Sequence, residues 1–327
     1  MPRGIDELAG ILRKAPGDVF IQTHDVPDPD AIASAHGLRL LLMEKGIPSR
    51  IIYDREIEKA DSRKMLELFK MELWPIASIQ AMDAEDWIVL VDVQKGNTNL
   101  HCLVPTVEIA VIDHHELRPD SKYRYMDVRP DVGSCSAIVA EYYFNSGITP
   151  PRLVATALLY GIFIDTDNLT RAVSPLDVEM FYLLHPLSDS ELIKQIRGNQ
   201  ITLQDLKLYA EAFRTVEVYG PVAFLKLDDA NDGLIGASSD IVLSLENVDV
   251  AVAYSLRPEG VKLSVRSINK GIPASTFVRT LVEGLGFGGG HAHMAGGFIP
   301  QERVPVDKNL DTLIKYRAIR CLEGLGF

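Results

Sequence analysis

The stretch His24–Asp30, HDVPDPD, sets one imidazole and three carboxylates in seven residues. Three later segments repeat that chemistry. VLVDV stops on Asp92, VIDHH carries Asp113, His114 and His115, and LLYGIFIDTDNLT carries Asp165 and Asp167. Buried carboxylates that converge repel one another unless a cation lies between them. Imidazole mixed with carboxylate suits manganese, iron or zinc, whereas an all-oxygen set suits magnesium or calcium. Six candidate ligands exceed the need of one ion. They fit two ions about 3.5–4 Å apart that share a carboxylate, and Asp92, alone at its strand end, is the natural bridge. Capping is the competing reading, because an Asp after a strand is often a turn residue or helix N-cap. Asp25 is assigned to that role.

Spacing supports the metal reading. Asp28 and Asp30 are two apart, so in extended backbone their side chains face the same way. Pro27 and Pro29 stiffen the loop, which lowers the entropy lost when ligands are held. Ala31, Ala33, Ala35 and Gly37 let the next helix lie close to a sheet.

The elements that must hold these residues alternate in type. Val19–His24, Ser49–Asp54, Asp86–Val93 and Val107–His115 read as strands, the last two apolar enough to be covered on both faces. Asp30–Gly46 reads as a helix with Asp30 as N-cap and Gly46 just past its end. Such alternation implies a parallel sheet with ligands beyond the strand carboxyl ends. His24, Asp92 and Asp113–His115 fall there. Helical patterns dominate from Ser134 to Thr215, including Gly198–Phe213. Strands VAFLKL, DVAVAYSL and GVKLSVRS follow, with helices near Ile235–Leu245, Pro273–Leu285 and Asp307–Glu323. The expected domains are 1–187, a helical linker 188–215, and a smaller α/β domain 216–327.

Composition narrows the class. The chain has 327 residues, 47% hydrophobic and 24% charged, with a net charge of −12. Two domains suit that length better than one. The acidic balance argues against duplex nucleic-acid binding. Cys102, Cys135 and Cys321 show no CxxC spacing and fit free thiols in a reducing compartment. MPRGIDELAGILRKA reads as an amphipathic helix rather than a signal peptide, and LVATALLYGIFI is too short to span a bilayer. A cytoplasmic protein without membrane contact is expected. No GxGxxG follows the first strand, which argues against a redox dinucleotide fold.

In their order, HDVPDPD, Asp92, DHH and DTDNL resemble the motifs of the DHH phosphoesterase superfamily. GGGHAHMAGG resembles the signature of its associated C-terminal domain, so the likeness covers nearly the whole chain. Layout resembles the nanoRNase and 3′-phosphoadenosine-phosphate phosphatase branch, which includes cyclic-di-AMP phosphodiesterases; RecJ-type exonucleases share the core. The resemblance implies an α/β catalytic domain and two divalent ions, commonly manganese, with magnesium or cobalt as alternatives. His24 and Asp28 would hold one ion. Asp30, His114 and Asp165 would hold the other, with Asp92 bridging. Asp113 would orient the metal-bound histidine, and His115 would either face the reacting phosphate or be structural. The activity implied is phosphoester hydrolysis by a metal-activated hydroxide. Asp167 departs from the small residue often found there. VQKGNTN lacks the arginine of some relatives, which leaves Lys95 or Asn97 to replace it.

In the second domain, Gly288, Gly289, Gly290 and His291 read as a phosphate-binding loop or as a plain turn. Arg266 and Ser267 read as a substrate contact, with a surface ion pair as the alternative for Arg266. His36, His101, His185 and His293 read as ordinary residues. The expected substrate is a short single-stranded oligonucleotide or small nucleotide, and a homodimer is compatible with the sheet. The alternatives are a manganese-dependent inorganic pyrophosphatase and a catalytically silent nucleotide-binding module.

Overall fold

The computed structural model describes residues 4–57, 59–79, 82–97, 99–101, 106–118, 122–198, 202–305 and 309–326. Cys102, Asp307 and residues 199–201, used in the expectations above, lie outside these. The chain divides into two compact units, 1–200 and 201–327. The segment 188–215 falls on both sides of that division.

The first unit runs α1 (Ile5–Leu12), β1 (Val19–Gln22), α2 (Pro29–Glu44), β2 (Arg50–Tyr53), α3 (Ala60–Phe69), β3 (Leu73–Pro75), β4 (Trp87–Val91), β5 (Val107–Asp113), β6 (Tyr125–Val128), α4 (Cys135–Asn145), α5 (Arg152–Asp165), α6 (Pro175–Leu184) and α7 (Ser190–Arg197). Its six strands form one sheet in the order β3-β2-β1-β4-β5-β6, every pair parallel. Alternation along the strands sorts their side chains. Ile21, Val89, Val91 and Ile112 face the large core shared with α2, α4 and α5. Phe20, Ile88, Leu90 and Val111 face a smaller core on the other side, with Ile52 and Ile76. Both faces are thus covered, as the apolar strands predict. The strand order reverses between β1 and β4, and the carboxyl ends there make the crevice where ligands bind in such sheets.

Two short strands escape the sequence pattern. β3 is an edge strand of three residues with exposed Trp74. β6 alternates buried and outward-facing residues through Asp127. Neither has the apolar run that marks β4 and β5.

The second unit runs α8 (Leu203–Phe213), β7 (Glu217–Tyr219), β8 (Val222–Asp228), α9 (Asp232–Leu243), β9 (Val250–Arg257), β10 (Gly260–Ser267), α10 (Ala274–Val282), β11 (Phe287–Gly290), β12 (Met294–Pro300) and α11 (Leu310–Leu325). Its mixed sheet has the order β11-β12-β10-β9-β8-β7, and only β8 and β9 pair in parallel. The expected α/β architecture, with a parallel first sheet, is borne out. Among the described residues, no helix is long and apolar enough to cross a membrane.

Candidate metal centre

The acidic loop after β1 folds around its prolines. Asp28, in extended backbone at φ −90° and ψ 179°, is the N-cap of α2. Its Oδ1 accepts the N–H groups of Asp30 and Ala31, each at 3.2 Å. Pro29 takes the first helical position, where a missing N–H costs nothing. This corrects the expectation for Asp30, which lies inside the first turn of α2. It also breaks the two-apart argument, since Asp28 and Asp30 do not share an extended segment. Asp30 instead reaches the start of α4. Its Oδ2 accepts from Cys135 N at 2.8 Å and its Oδ1 from Ser136 N at 2.9 Å. A helix N-terminus presents bare N–H groups to an anion, so this carboxylate is fixed from both oxygens.

Asp92 follows β4 directly and sits at φ 60°. Aspartate tolerates that left-handed region better than most residues. Its N–H is tied to Ile112 O at 2.9 Å. Its two oxygens face opposite ways. Oδ2 is 3.8 Å from His24 Nε2, and Oδ1 is 3.3 Å from His114 Nε2. His114 Nε2 is also 3.2 Å from Asp165 Oδ2, at the end of α5. The ring is held by Nδ1, which donates to Val132 O at 3.3 Å. That leaves Nε2 turned inward.

The side chains therefore gather as two sets that meet at Asp92. One is His24, Asp28 and Asp92; the other is Asp30, His114 and Asp165, with Asp92 beside His114. Burial pushes Asp30 well above the usual carboxylate range, and the nearby Asp165 and Asp92 push it further. Burial raises Asp92 too, against the pull of His114 and His115. Burial pulls His114 down, but the carboxylates of Asp165 and Asp92 outweigh it and drive the imidazole well above its ordinary value. Asp92 Oδ1 and His114 Nε2 are buried with no hydrogen-bond partner among the described residues. Buried inward-facing atoms without hydrogen-bond partners, beside carboxylates that repel one another, suit a divalent cation. Asp28, Asp30, Asp92 and Asp165 bring four carboxylates into these two sets.

Asp113, the last residue of β5, does not orient the inward-facing His114 ring. Its Oδ1 accepts from His114 N and from His115 Nδ1, both at 2.8 Å, so it fixes the ring of His115 instead. Burial pushes the Asp113 carboxyl up, but the bond from His115, the charges of both histidines and the bond from Gln94 hold it below the usual range.

Several supporting residues were not singled out from the sequence. Asp177 is fully buried and accepts from Gly133 N at 2.8 Å, Ser134 Oγ at 2.9 Å and Ser174 N at 2.9 Å. It thereby seats the α4 N-terminus that holds Asp30. The capping box of Ser174 and Asp177 was its legible signal. Asp25, assigned above to a turn or cap, binds His101 through its backbone N–H at 2.8 Å and its Nδ1 at 2.5 Å. Arg55 Nε lies 3.8 Å from the same carboxylate. That contact joins three loops, and no sequence spacing announces it. Lys95 is turned to Glu108 at 2.9 Å, and Asn97 Oδ1 accepts from Arg118 Nε at 2.8 Å. Asp167 stands in a left-handed turn with Asn168 and Leu169.

In the second unit, GGGH is a hairpin rather than a loop. Gly288 and Gly289 pair with Gly297 and Gly296 across β11 and β12. A Cβ on Gly288 would press on Val278 and Val282 of α10 at 3.2–3.3 Å. Gly290 has φ 142°, and a Cβ there would meet Met294 O at 2.5 Å. These two glycines are accounted for by packing and the turn. A cavity of about 300 Å³ opens beside them, lined in part by Asp232, Lys262, Ser264, Arg266, Gly290 and His291. Arg266 Nε donates to Asp240 at 2.6 Å and Nη1 to Ser264 Oγ at 3.0 Å. Ser267 is buried, bonds Asn269 and does not line the cavity. His291 stacks on His293, ring centroids 5.9 Å apart.

Comparison with known proteins agrees with this arrangement. Residues 18–162 match the DHH family, N-terminal domain, and residues 220–317 match the DHHA1 domain. The chain carries a DHH-family domain followed by a DHHA1 domain. An uncharacterised protein of Methanocaldococcus jannaschii is 30% identical over 291 residues, covering 88% of this chain and 59% of that protein. The cyclic-di-AMP phosphodiesterase GdpP of Geobacillus thermodenitrificans is 27% identical, covering 84% of this chain and 43% of that protein. The chain thus spans less than two thirds of the length of both relatives. A probable manganese-dependent inorganic pyrophosphatase of Streptococcus mutans is 23% identical over 150 residues, 45% of this chain and 48% of that one. An exopolyphosphatase-related protein of Bacteroides fragilis superposes with a TM-score of 0.78 at 19% identity, covering 99% and 97% of the two chains, which shows a shared fold. The carboxylate–imidazole cluster lies in the DHH domain and its flank, and the hairpin cavity lies in the DHHA1 domain.

Proposed function

We propose that this DHH-family chain is a metal-dependent phosphoesterase that hydrolyses short oligonucleotides, dinucleotides or 3′-phosphoadenosine phosphate. The observation that carries this reading is Asp92, whose two oxygens face His24 and His114 in separate ligand sets. His24, Asp28 and Asp92 would hold one divalent ion, and Asp30, His114, Asp165 and Asp92 the other. Manganese is the ion named for the pyrophosphatase relative. Bound there, such ions supply Lewis-acid polarisation of phosphoryl oxygens and activation of water near neutral pH.

The remaining steps belong to the protein. Asp113 stays ionised and can only accept, so His115 carries its proton on Nδ1. The Nε2 edge of His115 is then directed away from Asp113, and from there it donates to the phosphoryl group or leaving oxygen. Lysine and arginine side chains around the cavity of the DHHA1 domain, Lys262 and Arg266, with His291, form a subsite for a further phosphate. Gly290 brings the backbone close there, while Gly288 and Gly289 serve the hairpin and Ser267 bonds Asn269.

A parallel screen tests the proposal. Metal-stripped protein is expected to be inert and to recover with manganese, with magnesium and cobalt as further arms. Substrates are 5′-labelled RNA of graded length, a cyclic dinucleotide, 3′-phosphoadenosine phosphate and pyrophosphate. Rates should be highest on the shortest oligonucleotides or the small nucleotide. Turnover of pyrophosphate alone would replace this reading with the pyrophosphatase one. Tight binding without turnover would make the chain a silent binding module.

A further inference from the structure

We infer that Gln94 is a positioning residue for His115, acting through Asp113. Gln94 lies two residues past Asp92 and is fully buried. Its Nε2 donates to Asp113 Oδ2 at 2.7 Å and to Glu116 O at 3.1 Å. Its Oε1 accepts from Arg118 N at 3.0 Å. Two acceptors meet the amide nitrogen and one donor meets the oxygen, so the amide has a single sensible orientation. A flipped amide would set oxygen against oxygen twice.

This clip decides how Asp113 is used. Asp113 is fully buried, and three donors crowd its Oδ1: His114 N at 2.8 Å, His115 N at 3.3 Å and His115 Nδ1 at 2.8 Å. The described hydrogen bond to Oδ2 is the one from Gln94. A buried carboxylate oxygen stripped of its donor is costly, and rotation of the carboxylate is the cheapest relief. Rotation would move Oδ1 off the Nδ1 edge of His115 and release the ring. Gln94 also binds the backbone at Glu116 and Arg118, so it ties the chain on the far side of His115 to the loop that carries Asp92. One neutral side chain thereby couples the end of β4 to the end of β5. A carboxylate there would face that of Asp113 at close range, and an apolar side chain would leave three groups unpaired.

The inference rests on the proposed function only for the role of His115; the ring geometry can be read without substrate. The test compares wild type with Gln94→Leu and Gln94→Glu by histidine-labelled nuclear magnetic resonance and by kinetics. In wild type, the Nδ1–H of His115 should appear as a protected downfield proton bound to Asp113. In Gln94→Leu it should be lost or exchange faster, while the Nδ1–H of His114, bound to Val132 O, persists. Turnover number should fall about 10–100-fold, the range for outer hydrogen-bond partners of a catalytic centre, with KM and manganese affinity little changed. Should Gln94→Leu fail to fold, Gln94→Glu gives the same readings with its size kept. An unchanged His115 proton together with an unchanged turnover number per folded molecule, even with a lower Tm, would reduce Gln94 to a purely structural residue. If wild type hydrolyses none of the substrates, the proton signal still decides the matter.

Discussion

Asp92 carries opposite demands in the presence and absence of cations. Without them it is a buried carboxyl raised by burial, with the Asp28 charge adding to the push. Asp92→Asn should therefore leave the metal-free Tm equal or higher, yet remove manganese binding and lower turnover by more than about 100-fold, beyond the loss typical of an outer partner. Paired calorimetry with and without manganese checks both signs. His36 offers a separate test. It is buried in α2, its Nδ1 lacks a hydrogen-bond partner among the described residues, and burial pulls its pKa down to about 4. Between about 6.5 and 4 the unfolded chain binds a proton that the folded one refuses, so stability falls as pH drops through that window. Below about 4 the loss levels off. The difference in unfolding free energy between wild type and His36→Leu, measured across pH, should show that slope. Residue types announced the candidate ligands, because carboxylates and histidines gathered at several apolar run ends exceed what turns and caps require. Their partners were not announced: Gln94, Asp177 and the Asp25–His101 pair are ordinary polar residues until the chain folds.

Elements set the spacing that those ligands need. α2, α4 and α5 converge so closely that Gly161, inside α5, has room for no more than hydrogen. A Cβ there would meet Ser136 Oγ at 2.1 Å and Asp30 Oδ1 at 2.8 Å. Helix propensity favours alanine over glycine by about 0.5–1 kcal/mol. Overpacking should win: Gly161→Ala is expected to cost about 1–3 kcal/mol of stability. It should also weaken the ion site of Asp30, His114 and Asp165 more than that of His24 and Asp28. Denaturant unfolding and manganese titration read the two effects. The sequence marked these helices through their apolar content, and it marked α2 as approaching the sheet closely. It misplaced the α2 cap by two residues, because Pro29 at the first helical position hands the cap to Asp28. It also missed the β11–β12 hairpin, since a glycine run has no side-chain alternation to read.

At the scale of the molecule, the two units have separate cores: the larger core of the first gathers residues from Ile5 to Ile196, and the larger core of the second from Val222 to Leu322. The proposed cation sites lie in the first. Manganese at about 100 times its Kd should stabilise that unit by about 2.7 kcal/mol per site. A chelator should reverse the shift and leave the thermal transition of the second unit in place, as differential scanning calorimetry would show. The sequence by itself determined which side chains are candidates for the chemistry, that strands alternate with helices, and that a second α/β unit follows. These follow from local patterns: apolar runs, turn residues and functional groups at strand ends. Only the tertiary structure decided that the two oxygens of Asp92 face different ligand sets, that Asp113 serves His115 rather than the ring of His114, and that Ser267 is buried. Each of these depends on hydrogen bonds or distances between residues far apart in the chain, and no spacing along the sequence encodes the direction of a carboxylate.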